Sequence, residues 1–342
     1  MDTLLNEYNT LRSQIIRNSL LQINIVDRST LPPQQKINIK TNITNRQNIQ
    51  INNAIANYRL NMLKQPLPQN NLIVNQTSNP RALFIGCNYP NTVYKLNGCL
   101  NDVVDMYNAF RQYYKPQEIN ILADAEFNPM ALPTEMQRRK RLPTRKNIID
   151  NITLLLKSAR NNDTLLLTYS GHGVQRRDIN GDEVDRQDEC LVPCDAIGVG
   201  GQQNYISDDE LNTLIKLNLK QDTTLIVLMD ACHSGTMLDL KCNYSNINMS
   251  AQQTANDKVG QVIMISGCMD NQKSADAFIE NRARGAMSWA FLETIKSRDK
   301  LTWKDLITNM QTLLRPNYPN QIPQLSSNKY IDINTEIIKL NP

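Results

Sequence analysis

From Arg81 onward, short continuous apolar runs alternate with stretches of helical period, and this pattern restricts the fold more than any other feature of the chain. The apolar runs are Ala82–Gly86, Ile119–Leu122, Thr164–Thr168, Thr224–Met229 and Gln261–Ile265. Helical spacing covers 97–113, 144–159 and 208–219 between them, then 284–297 and 302–314 after the last. A strand that is apolar at successive positions is covered on both faces, and crossover helices supply that cover. The pattern therefore predicts an α/β protein with a mostly parallel central sheet between helical layers. Sites in such sheets lie beyond the carboxyl ends of the strands, so the strand ends are where chemistry is sought.

The first 78 residues have a different character. They are rich in Asn, Gln and Ile and contain no Gly. Leu4, Tyr8, Leu11, Ile15 and Ile16 recur at helical spacing, as do Ile51, Ile55, Tyr58 and Met62. Pro32 and Pro33 separate the two stretches, and Pro66 and Pro68 end the region. The expectation is a polar N-terminal extension over 1–78 with two amphipathic helices, a candidate pro-segment, followed by a main domain over 79–342. No run approaches ~18 consecutive apolar residues, which excludes a membrane-spanning helix as a reading. Acid near the start (Asp2, Glu7) argues against a secretory or mitochondrial leader, and a cytoplasmic protein is expected. A net charge of +4 gives no case for nucleic acid. The 7 cysteines are odd in number and irregularly spaced, so reduced thiols are expected. Cys190 and Cys194 lack the second ligand pair of a zinc site.

Two strand ends hold the informative residues. One reads Tyr169-Ser170-Gly171-His172-Gly173 and the other Asp230-Ala231-Cys232-His233-Ser234-Gly235. The chain has only 2 histidines, and each falls in one of these segments. A free thiol has a pKa of ~8.5 and needs a neighbouring base to become a nucleophile. His172 can reach Cys232 from the adjacent strand. His233 follows Cys232 directly and points the other way. The residues also permit a plainer reading, a buried inert Cys232 with two incidental histidines.

The two segments resemble the catalytic segments of type I metacaspases. Further stretches agree in order: Leu96–Val103, Pro143–Ile148, Asp188–Asp195, Ile206–Leu211, Ile265–Asp270, Ser274–Asp276, Gly285–Phe291 and Pro323–Ser327. The resemblance spans Arg81 to the C-terminus and leaves out the first 80 residues. It implies a caspase-like three-layer α/β/α sandwich and a His172–Cys232 dyad, with an oxyanion site made by the backbone N–H groups of Gly173 and Cys232. It also places Cys99, Asp102, Ser170 and Asp230 around the pocket for the residue before the cut. Two carboxylates there would pair with Arg or Lys and reject Asp. Asp102 has a plainer reading as an exposed acid in a first helical turn. Asp230, on an apolar strand, needs a partner in any case.

Calcium can be read in two ways. Asp178, Asn180, Asp182, Val184, Arg186 and Glu189 fall at EF-hand spacing, but Glu183 stands where that loop needs Gly and no helix pair flanks it. The resemblance instead implies a calcium site at Asp188, Asp208, Asp209 and Asp239. Asp208 and Asp209 also read as a helix N-terminal cluster after Ser207, and both roles can hold together. The expected protein is thus a calcium-activated, monomeric cysteine endopeptidase that cuts proteins after Arg or Lys. Self-processing is expected in the polar stretch between Leu240 and Gly260, or in the extension at Lys36, Lys40, Arg46, Arg59 or Lys64. The rivals are another caspase-fold peptidase, paracaspase-like or legumain-like, and a catalytically silent calcium-responsive scaffold.

Overall fold

A computed structural model describes residues 2–64, 82–114, 119–125, 132–133, 136–137, 140–160, 163–177, 187–197, 201–232, 234, 237–244, 259–267, 276–296, 301–335 and 337. Numbered in chain order, the strands β1 (Ala82–Gly86), β2 (Ile119–Ala123), β3 (Thr164–Ser170), β7 (Thr224–Asp230) and β9 (Gln261–Ser266) lie in the order β2-β1-β3-β7-β9, all parallel. These are the five apolar runs of the sequence. Two short strands close the sheet: β12 (Gln324–Ser327) runs antiparallel to β9, and β8 (Cys242–Asn243) antiparallel to β12. From the second residue on, β3 and β7 are buried throughout, as expected for strands covered on both sides.

Alternate residues serve opposite layers. Phe84, Leu166, Ile226 and Ile265 share one core with α3 (Cys99–Tyr114), α6 (Ala286–Lys296) and α7 (Trp303–Leu314). Within it Phe84 meets Phe110 edge to face, centroids 5.8 Å apart. The apolar stripe of α4 (Arg145–Ser158), with Ile148, Ile152, Leu155 and Leu156 buried, belongs to the other layer with α5 (Asp208–Asn218). Local signals set the helix starts: Thr144 caps α4 through the Asn147 N–H at 3.2 Å, and Thr302 with Asp305 forms a capping box on α7. The fold is the expected caspase-like α/β/α sandwich.

Sequence patterning missed the small polar strands. Strands β4 (Gly173–Arg177), β5 (Gln187–Leu191) and β6 (Ile206–Ser207) form a separate antiparallel sheet, and β10 (Asp276–Ile279) with β11 (Arg282–Gly285) a hairpin. Two to five residues long and mixed in composition, they gave no apolar run long enough to detect. They matter because they carry side chains to the site.

The described residues 2–64 group as a separate compact unit. Within it α1 (Asp2–Arg28) packs on α2 (Pro33–Lys64), with the Lys36 ammonium on the Asp27 carbonyl at 2.9 Å and an ion pair between Lys40 and Asp27. Both helices run past their apolar stripes, with Pro33 placed where a helix tolerates its missing N–H. Among the described residues no helix is long and apolar enough to cross a membrane.

Candidate active site

The register of β3 and β7 puts Ser170 opposite Asp230 at the carboxyl ends of the strands. His172 and Cys232 each lie two residues further on, at the same height. The Gly171 N–H continues the contact to the Asp230 carbonyl at 3.3 Å. Beyond it the two segments touch. A Cβ on Gly173 would stand 2.0 Å from the Cys232 carbonyl oxygen, so only glycine admits this approach. Cys232 and His172 are both half-buried. The buried Ser234 hydroxyl donates to the Ala231 carbonyl at 2.9 Å and pins the turn around Cys232. His233 lies outside the described residues.

His172 is held from several sides. Its Nε2 is 2.7 Å from the Tyr94 carbonyl. A carbonyl only accepts, so Nε2 carries the proton and Nδ1 is the basic nitrogen of the neutral ring. The imidazole stacks on the Tyr89 ring (4.8 Å, 24°) and meets the Tyr94 ring edge-on (6.4 Å, 83°). Sequence reasoning named no third member for the dyad. A backbone carbonyl leaves no residue-type signature, so none could have been found that way. Gly173 pairs with Leu191, and the flanking Val192 N–H reaches the His172 carbonyl at 3.2 Å. That makes Gly173–Leu191 a non-hydrogen-bonded pair, which turns the Gly173 N–H away from β5.

The acids of the expected pocket converge. Asp102, in the first turn of α3, is 3% exposed, against the plainer reading of an exposed helix-start acid. The Ser170 hydroxyl donates to its Oδ2 at 2.6 Å, and the Gly285 N–H reaches its carboxylate at 2.9 and 3.0 Å. Asp230, also buried, accepts from the Ser288 N–H at 2.8 Å. A Cβ on Gly285 would stand 2.2 Å from Asp230 Oδ2 and 2.7 Å from Asp102 Oδ2, so both carboxylates crowd the same point. Burial first, and the like charge of Asp230 second, push the Asp102 carboxyl well above its usual range. Partial compensation comes from the start of α6, whose N-terminal amides face the acids. Cys99 is buried one turn before Asp102. Gly285 and Ser288 are contributors that sequence reasoning quoted but gave no role.

The four other aspartates are arranged differently. Asp188, buried on β5, receives Nε and a terminal nitrogen of Arg176 at 3.0 and 2.9 Å. Arg176 comes from β4, directly opposite Asp188, and only the strand pairing reveals it. Asp208 accepts from the Glu189 N–H and the Asp209 N–H, each at 2.8 Å. Burial, with the like charges of Asp239 and Glu189, pushes its carboxyl up to about 9. Asp239 is exposed, with φ +47°. Ser207 caps α5 through the Glu210 N–H at 3.4 Å, so the helix-start reading of Asp208 and Asp209 holds. Among the described residues no three His, Cys, Asp or Glu side chains stand at metal-holding spacing. Of the EF-hand spacing, residues 178–186 lie outside the described residues and Glu189 sits in β5, its carboxylate 3.0 Å from the Gln175 amide. The six described cysteines are free thiols.

Comparison with known proteins gives a consistent family. The model of the metacaspase, peptidase C14 domain matches residues 80–241. Metacaspase-1 of Meyerozyma guilliermondii is 34% identical over 314 residues, covering 77% of this chain and 73% of that protein. Metacaspase-1 of Schizosaccharomyces pombe is 33% identical, covering 75% and 69%. A crystal structure of a Geobacter sulfurreducens protein shares the fold with a TM-score of 0.53 at 23% identity, covering 77% of this chain and all of that one.

Proposed function

This chain belongs to the type I metacaspases, cysteine peptidases that hydrolyse peptide bonds, and on that premise we propose that it cuts proteins after Arg or Lys through a His172–Cys232 dyad. The observation that carries the dyad is the approach of Gly173 to the Cys232 carbonyl, which holds the two segments in contact. His172 Nδ1 takes the thiol proton, and the Cys232 sulfur attacks the scissile carbonyl. The backbone N–H groups of Gly173 and Cys232 receive the negative charge that develops on the carbonyl oxygen. The imidazolium then returns its proton to the leaving amine as the C–N bond breaks. Water, deprotonated by His172, hydrolyses the thioester and frees Cys232.

Cleavage after a basic residue is supported by the convergence of Asp102 and Asp230. A guanidinium or ammonium set between them relieves their mutual repulsion, and Ser170 orients Asp102 for it. An acidic side chain in the same place adds a third negative charge to a buried pair.

Calcium activation is supported by the second acidic cluster. Asp188, Asp208, Asp209 and Asp239 offer only oxygen donors, which suits a hard cation. Burial, with the like charges of Asp239 and Glu189, raises the Asp208 carboxyl, and a cation bound beside it would relieve that like charge. Bound there, calcium would tie together β5, the start of α5 and the segment after Cys232. Arg176 must release Asp188 for that carboxylate to serve. Self-processing follows from the same specificity, at Lys or Arg in the extension or near Lys241; residues 245–258 of that stretch lie outside the described residues.

The test is hydrolysis of fluorogenic Arg and Asp peptides by the full chain, with and without millimolar calcium, beside Cys232→Ala and His172→Ala. Calcium-dependent release from the Arg peptide is expected, and near-complete loss in both variants. Preference for Asp defeats the pocket reading, activity in His172→Ala defeats the dyad, and full rate in chelator defeats calcium activation. Sequencing the fragments formed in calcium then checks self-processing, which requires cuts after Lys or Arg that are absent from Cys232→Ala protein.

A further inference from the structure

A histidine that must face a thiol and then a leaving amine needs its ring plane fixed. The Tyr94 carbonyl holds one nitrogen but leaves the imidazole able to rock about that hydrogen bond. We propose that Tyr89 is the positioning residue for His172: its ring sets the plane of the imidazole and its hydroxyl fixes the backbone from which the imidazole hangs. The inference rests on the dyad reading above.

Three observations carry it. First, Tyr89 stacks on His172 at 4.8 Å and 24°, a face-to-face contact that also favours the imidazolium formed during the reaction. Second, the Tyr89 hydroxyl accepts from the His172 N–H at 2.9 Å and donates to the Val192 carbonyl at 2.7 Å. It lies 3.3 Å from the Tyr169 hydroxyl, which in turn donates to the His172 carbonyl at 2.9 Å. One side chain therefore touches both the ring and the main chain of the same histidine. A Cβ on Gly171 would stand 2.9 Å from the Tyr89 hydroxyl and 2.7 Å from that of Tyr169, so the residue before His172 leaves room for this pair.

Third, Tyr89 is held in place at a cost. Its φ is +48°, the left-handed region that a bulky residue rarely adopts. Asp124, just past the end of β2, accepts from the Asn88 N–H at 2.8 Å and the Tyr89 N–H at 2.7 Å, and so braces the corner. The same loop returns five residues later to present the Tyr94 carbonyl to Nε2. A tyrosine present only to fill space needs neither the strained corner nor the hydroxyl contact with the His172 amide.

The experiment uses the full chain in calcium, in a His233→Gln background where His172 is the single histidine, so its ring signals are unambiguous by NMR. Wild type should show His172 ring protons shifted upfield by the stacked tyrosine. Tyr89→Phe should keep that shift and lose a few-fold in kcat. Tyr89→Leu should lose the shift and about 10–100-fold in kcat, with KM changed less than twofold. Wild-type kcat in Tyr89→Leu, or equal damage in the Phe and Leu variants, overturns the proposal. Should Tyr89→Leu fail to fold, Asp124→Asn loosens the brace while keeping the Tyr89 side chain. A moved His172 signal with reduced kcat and unchanged KM then supports the proposal, and unchanged signal and rate overturn it. His172→Ala separates the two readings: if it stays active the dyad itself is wrong, whereas an inactive His172→Ala with fully active Tyr89 variants removes only the role of Tyr89.

Discussion

Two acidic clusters, Asp102 with Asp230 and Asp188 with Asp208, solve the same electrostatic problem in different ways. Asp102 and Asp230 crowd Gly285 and are offset by neutral donors: the Ser170 hydroxyl and the Gly285 and Ser288 amides at the start of α6. Asp188 is offset by a full charge, the guanidinium of Arg176, while neighbouring Asp208 accepts from two backbone amides and has a carboxyl raised to about 9. Neutral donors orient carboxylates without cancelling them, which suits a pocket that a substrate cation must enter and leave. A built-in cation cancels charge but competes with any other cation. On the proposed reading, the first cluster would take a substrate cation transiently, and at the second calcium would have to displace the resident guanidinium.

The largest expected effect breaks the first cluster. Asp230→Asn should cut kcat/KM for an Arg peptide by about 2–5 kcal/mol of lost transition-state stabilisation, with a much smaller loss on a peptide carrying Gln before the cut. Equal loss on both peptides would mean that Asp230 only supports the turn before Cys232. Next, Gly285→Ala puts a methyl between the two carboxylates and should lower Arg-peptide kcat/KM by about tenfold or more. A variant with unchanged kinetics would show that the shared point is not where substrate binds.

The second cluster gives smaller effects. Millimolar calcium should raise the melting temperature by about 2–4 °C, and Asp239→Asn should abolish most of that rise. A retained rise assigns the calcium response elsewhere. The last is a pH effect without calcium. The Asp208 carboxyl sits above its ordinary 3.8, so the folded chain keeps a proton that the unfolded chain releases. Its contribution to stability therefore declines as pH rises from about 4 to about 9. Removing the like charge in Asp239→Asn should flatten that slope in calorimetric melts across the range, and a slope unchanged by the substitution would exclude Asp239 as a cause.

The sequence carried much of this. Continuous apolar runs marked all five parallel strands because burial on both faces leaves polar residues nowhere to go. Glycines beside His172 and the Asp-Ala-Cys turn marked the candidate nucleophile and base. Other parts were illegible for definite reasons. The Tyr94 carbonyl acts through an atom every residue has. Arg176 meets Asp188 only because β4 pairs with β5, and both strands are too polar and short to announce themselves. Gly285 matters through the space it leaves between residues 102 and 230, a relation with no local pattern.

By itself the sequence determined the layered α/β architecture, the strand ends that bear the chemistry and the residue types available there, since hydrophobic periodicity and turn-forming glycines are local properties. Only the tertiary structure decided which charges face one another, which nitrogen of His172 carries the proton and which ring stacks against it. Those depend on register and on distances of a few ångströms between segments far apart in the chain, and the energy of a charge or hydrogen bond is set by its neighbours in space.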